Sequence, residues 1–394
     1  MKTRALAVLV VAAALAAQTV FSEQVVKIAS CSPLSGAQGA LGEMIKLGAQ
    51  IAVEECQAPL AKLGLKLELS PQDDQASPDV GVAVAKRLVN EPEVIGIVGH
   101  FNSGVAIPSS EVYKDYDLVM VSPANTNPKV TERRYANVNR VCGRDDVQGP
   151  VGAEFAIAEL KAANIFVVND KTAYGQGIAE AFRDKAKALG ATVSGFVGTE
   201  EKSNFQALIL QMKVRKPDLV YFGGIYDQGG LLVKQMREKG IMAFFMGPDG
   251  LDSSEFVRIA QDSAKGCYYT TVAGPVEQYP AAAEFARSFE ARFKKRPESF
   301  ALYAYDSARV IVEALKSAAQ GAEGKLPSRA AVCKAVRQVS YPGITGLIEF
   351  DDKGDRKTSD YYVMRLKESA YPGSAIKVIS SAPPSSPPAG KSAP

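Results

Sequence analysis

Short β-rich runs alternate with helical patterns along almost the whole chain, and this alternation limits the fold more than any other feature. The strand candidates are Val25–Ser30, Leu65–Ser70, Val94–Val98, Leu118–Ser122, Ile165–Asn169, Leu219–Gly223, Ala243–Gly247 and Cys267–Val272. Several are apolar almost throughout, the pattern of strands covered on both faces. Between them lie helical segments at Leu41–Cys56, Pro78–Val89, Gln148–Ala162, Gly175–Leu189, Phe205–Val214 and Gln228–Lys239. Ser77 is placed to cap the second of these. The order predicts an α/β protein with mainly parallel sheets and helices on both faces. A length of 394 residues exceeds one ordinary core, so two lobes are expected. Two βα-type halves are visible, Val25–Val141 and Asp146–Val272. A helix-rich block, Ala281–Gln320, follows. Gly346–Phe350 and Tyr361–Leu366 then flank the polar turn Asp351–Asp355 and read as a hairpin or a crossover.

The ends stand apart from this pattern. Residues 1–22, MKTRALAVLVVAAALAAQTVFS, have a basic start, an apolar run over Ala5–Ala17 and a small residue at Ser22. That is a secretory signal pattern, with Glu23 as the mature start and cleavage after Ala17 as the rival. The run is shorter than the about 20 apolar residues of a membrane span, and no lipid-attachment cysteine ends it. The mature chain is therefore expected outside the cytoplasm, with no stable membrane insertion. Residues 380–394 read as a disordered Pro/Ser-rich tail with nothing to bury.

Composition excludes several function classes. The 46 Lys and Arg against 43 Asp and Glu give a formal charge of +3, with no clustered basic patch for nucleic acid. His100 is the only histidine, so no His-ligated metal cluster can form. No nucleophile elbow, P-loop or H-E-x-x-H motif is present, and Gly175-Gln176-Gly177 lacks the third glycine of a dinucleotide fingerprint. No cofactor, metal or enzyme activity is expected. Cys31, Cys56, Cys142, Cys267 and Cys333 are odd in number and widely spaced, and read as buried small apolar residues. His100 reads as a packed strand-end residue. The turn Asp351–Asp355 and the cluster Lys202, Lys213, Arg215 and Lys216 read as solvated.

In open α/β sheets ligands bind beyond the carboxyl ends of strands, so the residues after each strand are the informative ones. They are Ser32–Gly36, Gly99–Gly104, Ser122–Thr126, Asn169–Gly175, Gly223–Asp227 and Gly247–Gly250. Each is a small, polar loop leading to a helix, suited to holding an anion. Ser103 and Thr126 fit a carboxylate. Asp249, between Pro248 and Gly250, can pair with an ammonium. Phe101, Tyr174 and Phe300 can wall an apolar space. A carboxylate site, an ammonium partner and apolar walls together describe a free amino acid.

At these residues the sequence resembles the periplasmic leucine/isoleucine/valine-binding proteins, the receptors of branched-chain amino acid ABC importers. The matching pieces are Ser35-Gly36, Gly99-His100 with Ser103, Ser122–Thr126, Asp170-Lys171 with Tyr174-Gly175, Gly223-Gly224, Met246–Gly250 and Asp352–Asp355, in order from about Val25 to Leu366. The resemblance implies two Rossmann-like lobes joined by three crossovers, with a ligand cleft between them that closes by hinge bending. Residues 23–143 plus 273–346 would form the first lobe, and 144–272 plus 347–379 the second. By position, Ser103 and Thr126 would hold the ligand carboxylate. The Ala124 carbonyl, Thr126 and Asp249 would take the ammonium, with Asn125 in the same loop. Tyr174 would close over the ligand main chain, and Phe101 and Phe300 would line its side-chain pocket. The implied partners are the amino acid and an inner-membrane ABC permease, with the receptor a monomer. Three departures are visible. Asp249 replaces a commoner Glu. Leu41 and Ile225 stand at two aromatic pocket positions, with Tyr226 one residue from the second. Asn102, with Gln75 or Ala76, stands where some relatives have a disulfide. A reshaped pocket could take another neutral amino acid or an amide.

Overall fold

The computed structural model describes residues 24–320 and 326–381. The proposed signal, residues 1–22, and residues 382–394 of the proposed tail lie outside the described residues.

Among the described residues, fourteen strands and their helices form two lobes. The first sheet contains β1 (Gln24–Ser32), β2 (Leu65–Asp73), β3 (Val94–Gly99), β4 (Val119–Ser122) and β5 (Val138–Arg140). Its order is β2-β1-β3-β4-β5, parallel throughout. The second contains β6 (Asn164–Asn169), β7 (Thr192–Gly198), β8 (Leu219–Gly223), β9 (Phe244–Gly247), β10 (Tyr268–Thr271), β13 (Ser359–Arg365) and β14 (Ser374–Ser381). Its order is β14-β13-β10-β9-β8-β6-β7, with β13 antiparallel to both neighbours. Every residue of β3, β4 and β8 is buried, the continuous apolar run of a strand covered on both faces.

The helices Gly39–Glu55 and Ser299–Gln320 pack together on the first lobe. Their approach is close because position 48 has no side chain: a Cβ on Gly48 would lie 2.0 Å from the Ala301 carbonyl oxygen. The chain passes between the lobes three times, after β5, after β10 and before β13.

Several details differ from expectation. β5, β7 and β14 are strands that the sequence pattern did not mark. Gly346–Phe350 and Tyr361–Leu366 are not a hairpin but flank a crossover between the lobes. β12 (Gly346–Ile348) forms a ribbon with β11 (Tyr341–Gly343), whereas β13 joins the second sheet. The ribbon spans position 346, where the lobe boundary was drawn. Ser380 and Ser381 belong to β14, not to the tail, because they continue its pairing with Asp360 and Ser359. Ser77 stands at the N-cap position but its hydroxyl makes no cap bond.

The Asp351–Asp355 turn is solvated only at Asp352 and, in part, at Asp351. Asp351 Oδ1 accepts from the backbone N–H groups of Lys353, Gly354 and Asp355, and this curls Asp355 inward to 1% exposure. There it meets Arg140 Nε at 2.5 Å and Arg144 Nη1 at 2.6 Å. Burial alone would raise its carboxyl, but the two guanidinium groups outweigh burial and hold it down at about 2. The pair ties the first passage between lobes to the third. Arg356 adds a second tie, donating to the Val141 carbonyl at 3.2 Å. The second passage is pinned by Tyr279, whose hydroxyl accepts from Gly274 N–H and meets Tyr303 and Tyr362. Lys202, Lys213, Arg215 and Lys216 are exposed. All five cysteines are buried and free.

Candidate ligand site

The carboxyl ends of the two sheets face each other, and the loops beyond them meet. Asn127, after β4, donates from Nδ2 to the Ala173 carbonyl, after β6, at 2.6 Å. Tyr226, after β8, donates its hydroxyl to the Ala37 carbonyl, after β1, at 2.8 Å. The cleft between them is closed.

On the first-lobe wall, Ser103 opens the helix Ser103–Lys114, and its Oγ accepts from Asn127 N–H at 3.4 Å. Asn125 holds the loops together instead of facing the cleft. Its Oδ1 accepts from Ser122 Oγ at 2.8 Å, and its Nδ2 donates to the Phe101 carbonyl at 2.8 Å. That bracket sets Ala124 and Thr126, both buried, on either side of it. Phe101 and Phe300 meet edge to face, with centroids 5.8 Å apart. They form one apolar wall, with Leu41 and Ile225 buried in the same core cluster.

On the second-lobe wall, Tyr174 donates to Asp249 Oδ1 at 2.7 Å, and Gly250 N–H donates to the Tyr174 hydroxyl at 2.7 Å. Gly250 is required there: a Cβ would lie 2.3 Å from the Gly224 carbonyl oxygen. Asp249 is 3% exposed. Burial pushes its carboxyl up to about 6, against the hydrogen bond from Tyr174.

The structure adds a residue that the sequence did not single out. Asp145 opens the helix Asp145–Ala158, immediately past β5. It is 1% exposed. Burial, and then the charge of Asp249, push its carboxyl well above the usual range, against Thr126 and Arg140. Neither of its carboxylate oxygens has a hydrogen-bond partner of good geometry, and neither has Thr126 Oγ1, which faces it. The Gln148 Oε1 and Tyr221 hydroxyl nearby are also unpartnered. Tyr221 feels the charges of both Asp145 and Asp249. Buried polar atoms are normally satisfied, so these under-partnered acceptors and hydroxyls between the lobes make this place the candidate site for a polar ligand. Among the described residues no group of His, Cys, Asp and Glu could hold a metal ion.

His100 lies just behind the site, fully buried. Its Nδ1 meets Asp74 Oδ2 at 2.7 Å and its Nε2 meets the Tyr113 hydroxyl at 3.1 Å. It links the loops after β2 and β3, near Asn102 and Ala76.

Residues 25–371 match the family model described as periplasmic binding protein. The chain belongs to this family. Among its periplasmic binding protein relatives is an amino acid binding protein of Pseudomonas aeruginosa, 37% identical over 86% of this chain and 89% of that protein. Leu/Ile/Val-binding protein homolog 2 of Brucella abortus is 35% identical over 86% and 89% of the two chains. The crystal structure of a leucine binding protein from Thermotoga maritima superposes with a TM-score of 0.81 at 28% identity, covering 90% of this chain and 98% of that one.

Proposed function

We propose that the protein is the substrate-binding receptor of an ABC importer for branched-chain amino acids, a binding protein and not an enzyme. It would be exported through a signal at residues 1–22 and would act in the periplasm. The observation that carries this reading is the set of under-partnered polar atoms in the closed cleft, Thr126 Oγ1 and the Asp145 carboxylate, opposite Asp249 and beside the Phe101–Phe300 wall. The names of the relatives support the ligand class.

Ser103 and Thr126 would hold the ligand carboxylate, and Asp249, Thr126 and the Ala124 carbonyl its ammonium. Asp145 joins them from the other side. Tyr174 braces Asp249. The ligand would bind the open form and select the closed one through its contacts with the second lobe, and the closed form would be what a permease recognises. Residues 24–143 plus 273–348 and 144–272 plus 349–381 would move as the two lobes. Leu41 and Ile225 in place of aromatic residues favour a second reading, another neutral amino acid or small amide in the same cleft.

A thermal-shift screen against free amino acids tests both readings, since a ligand that binds only the native state raises the melting temperature. Leucine, isoleucine and valine should give the largest shifts, and recovered ligand should be chemically unchanged. A shift confined to other neutral amino acids or amides would favour the second reading. No shift with any of them would overturn both.

A further inference from the structure

Asp145 and Asp249 are both buried, and among the described residues no cation forms an ion pair with either. Arg140, the nearest positive group, is committed to Asp355 and to the carbonyls of Asn125 and Asn127. Arg144 is held by Asp146 and Asp355. The other titratable groups acting on the pair are Asp146, Tyr174, Tyr221 and Cys142, and none brings positive charge. Tyr174 braces one oxygen of Asp249, whereas Asp145 has only the poorly aligned Thr126 hydroxyl beside its two oxygens.

An amino acid brings one ammonium and a carboxylate of its own. With both acids ionised, the closed cleft would hold three negative charges against one positive. Two carboxylates sharing a dry site do not both stay ionised, and one ammonium cannot neutralise them and its own carboxylate. Resting on the amino-acid reading above, we propose that Asp145 and Asp249 form a proton-sharing pair that takes up one proton from solvent as the cleft closes on its ligand. Two carboxylates become one carboxylate and one carboxylic acid. Asp249, braced by Tyr174, keeps its charge toward the ammonium. Asp145 holds the proton and turns its O–H toward Thr126 Oγ1. Capture is then coupled to pH, and the cleft prefers a ligand with one cationic group and a neutral side chain.

The sign follows from the two states. In the open form the acids are solvated, with ordinary values near about 4, and are ionised at neutral pH. Closure raises them. The raised pair favours the closed complex at lower pH, and affinity falls about tenfold per pH unit until the complex itself loses the proton.

Calorimetry of the full chain with leucine, in phosphate and in Tris from pH 6 to 9, reads the proton directly from the difference in apparent heat. The expected result is an uptake approaching one proton per leucine, which disappears in Asp145→Asn when leucine is raised enough to saturate the weakened site. A thermal melt checks that this variant folds. Asp249→Asn, which leaves a single acid in the cleft, should also lose the uptake and serves if the first does not fold. Leucine binding without proton exchange across this range, or uptake retained in Asp145→Asn, would overturn the inference and leave the amino-acid reading standing. No heat with leucine or any other amino acid would overturn that reading and this inference with it.

Discussion

Asp249 sits where a charge is hardest to keep: 3% exposed, with burial holding its carboxyl up to about 6. An ammonium placed against it would be a desolvated, hydrogen-bonded pair, and removing one partner of such a pair costs about 2–5 kcal/mol. Asp249→Ala should therefore weaken leucine binding by that amount in calorimetry; binding as tight as the parent would remove Asp249 from the site. The sequence showed Asp249 because it follows β9 in a loop of small residues. It did not show Asp145, and the reason is local. Asp145 lies beyond β5, a strand of three residues, Val138-Asn139-Arg140, too short and too polar to announce itself. With no apolar run to mark the strand, the residues past its carboxyl end do not stand out as strand-end residues. Asn125 is the opposite case: its position in a polar loop suggested a ligand contact, and its side chain holds two loops in place instead.

At the scale of elements, what could be read depended on burial. β3, β4 and β8 are covered on both faces and stand out as apolar runs. β7 is an edge strand, Thr192-Val193-Ser194-Gly195-Phe196-Val197-Gly198, and none of its residues is fully buried. β14, the other edge of that sheet, alternates between partly buried and exposed residues. Edges need no continuous apolar run, so their sequences blend into loops. The contact of helix Gly39–Glu55 with helix Ser299–Gln320 gives a test at this scale. Gly48→Val would drive a side chain into the Ala301 carbonyl, and overpacking of this kind costs about 1–3 kcal/mol. Urea unfolding should show that loss; an unchanged midpoint would mean the helices can part without cost.

For the whole molecule, the decisive contacts are those that cross between lobes. Tyr226→Phe removes the hydrogen bond to Ala37 and keeps the ring. A hydrogen bond of this kind contributes about 0.5–1.5 kcal/mol, so leucine affinity should fall about 2- to 10-fold. Unchanged affinity would mean that closure does not rely on this tie. Asp355 makes a different prediction, because it joins the first and third passages. Its carboxyl is held at about 2 in the folded chain, below its unfolded value of about 4. A lowered folded value stabilises above the unfolded value and is lost as pH falls between the two. Asp355→Asn should cost about 2–5 kcal/mol at neutral pH. The parent should lose that margin between about pH 4 and pH 2, where the variant, lacking the acid, does not. Parallel acid-unfolding curves for the two would show that the passages hold without it. The two-lobed plan was legible in the alternation and in the resemblance. The ionic tie was not, because Asp351–Asp355 looks like any polar surface turn until Arg140 and Arg144 are brought to it from over 200 residues away.

The five cysteines carry one practical consequence. Every thiol is buried, and burial pushes those of Cys142 and Cys267 up to about 12 and that of Cys333 to about 11. Thiolates react with maleimides and thiols barely do, so the folded protein presents a chemically silent background. One cysteine introduced on each lobe would be the sole pair to take up fluorophores, and the distance between the dyes would follow the cleft in real time. A chain whose sulfur is all hidden is thus already most of the way to being an optical gauge for its own ligand.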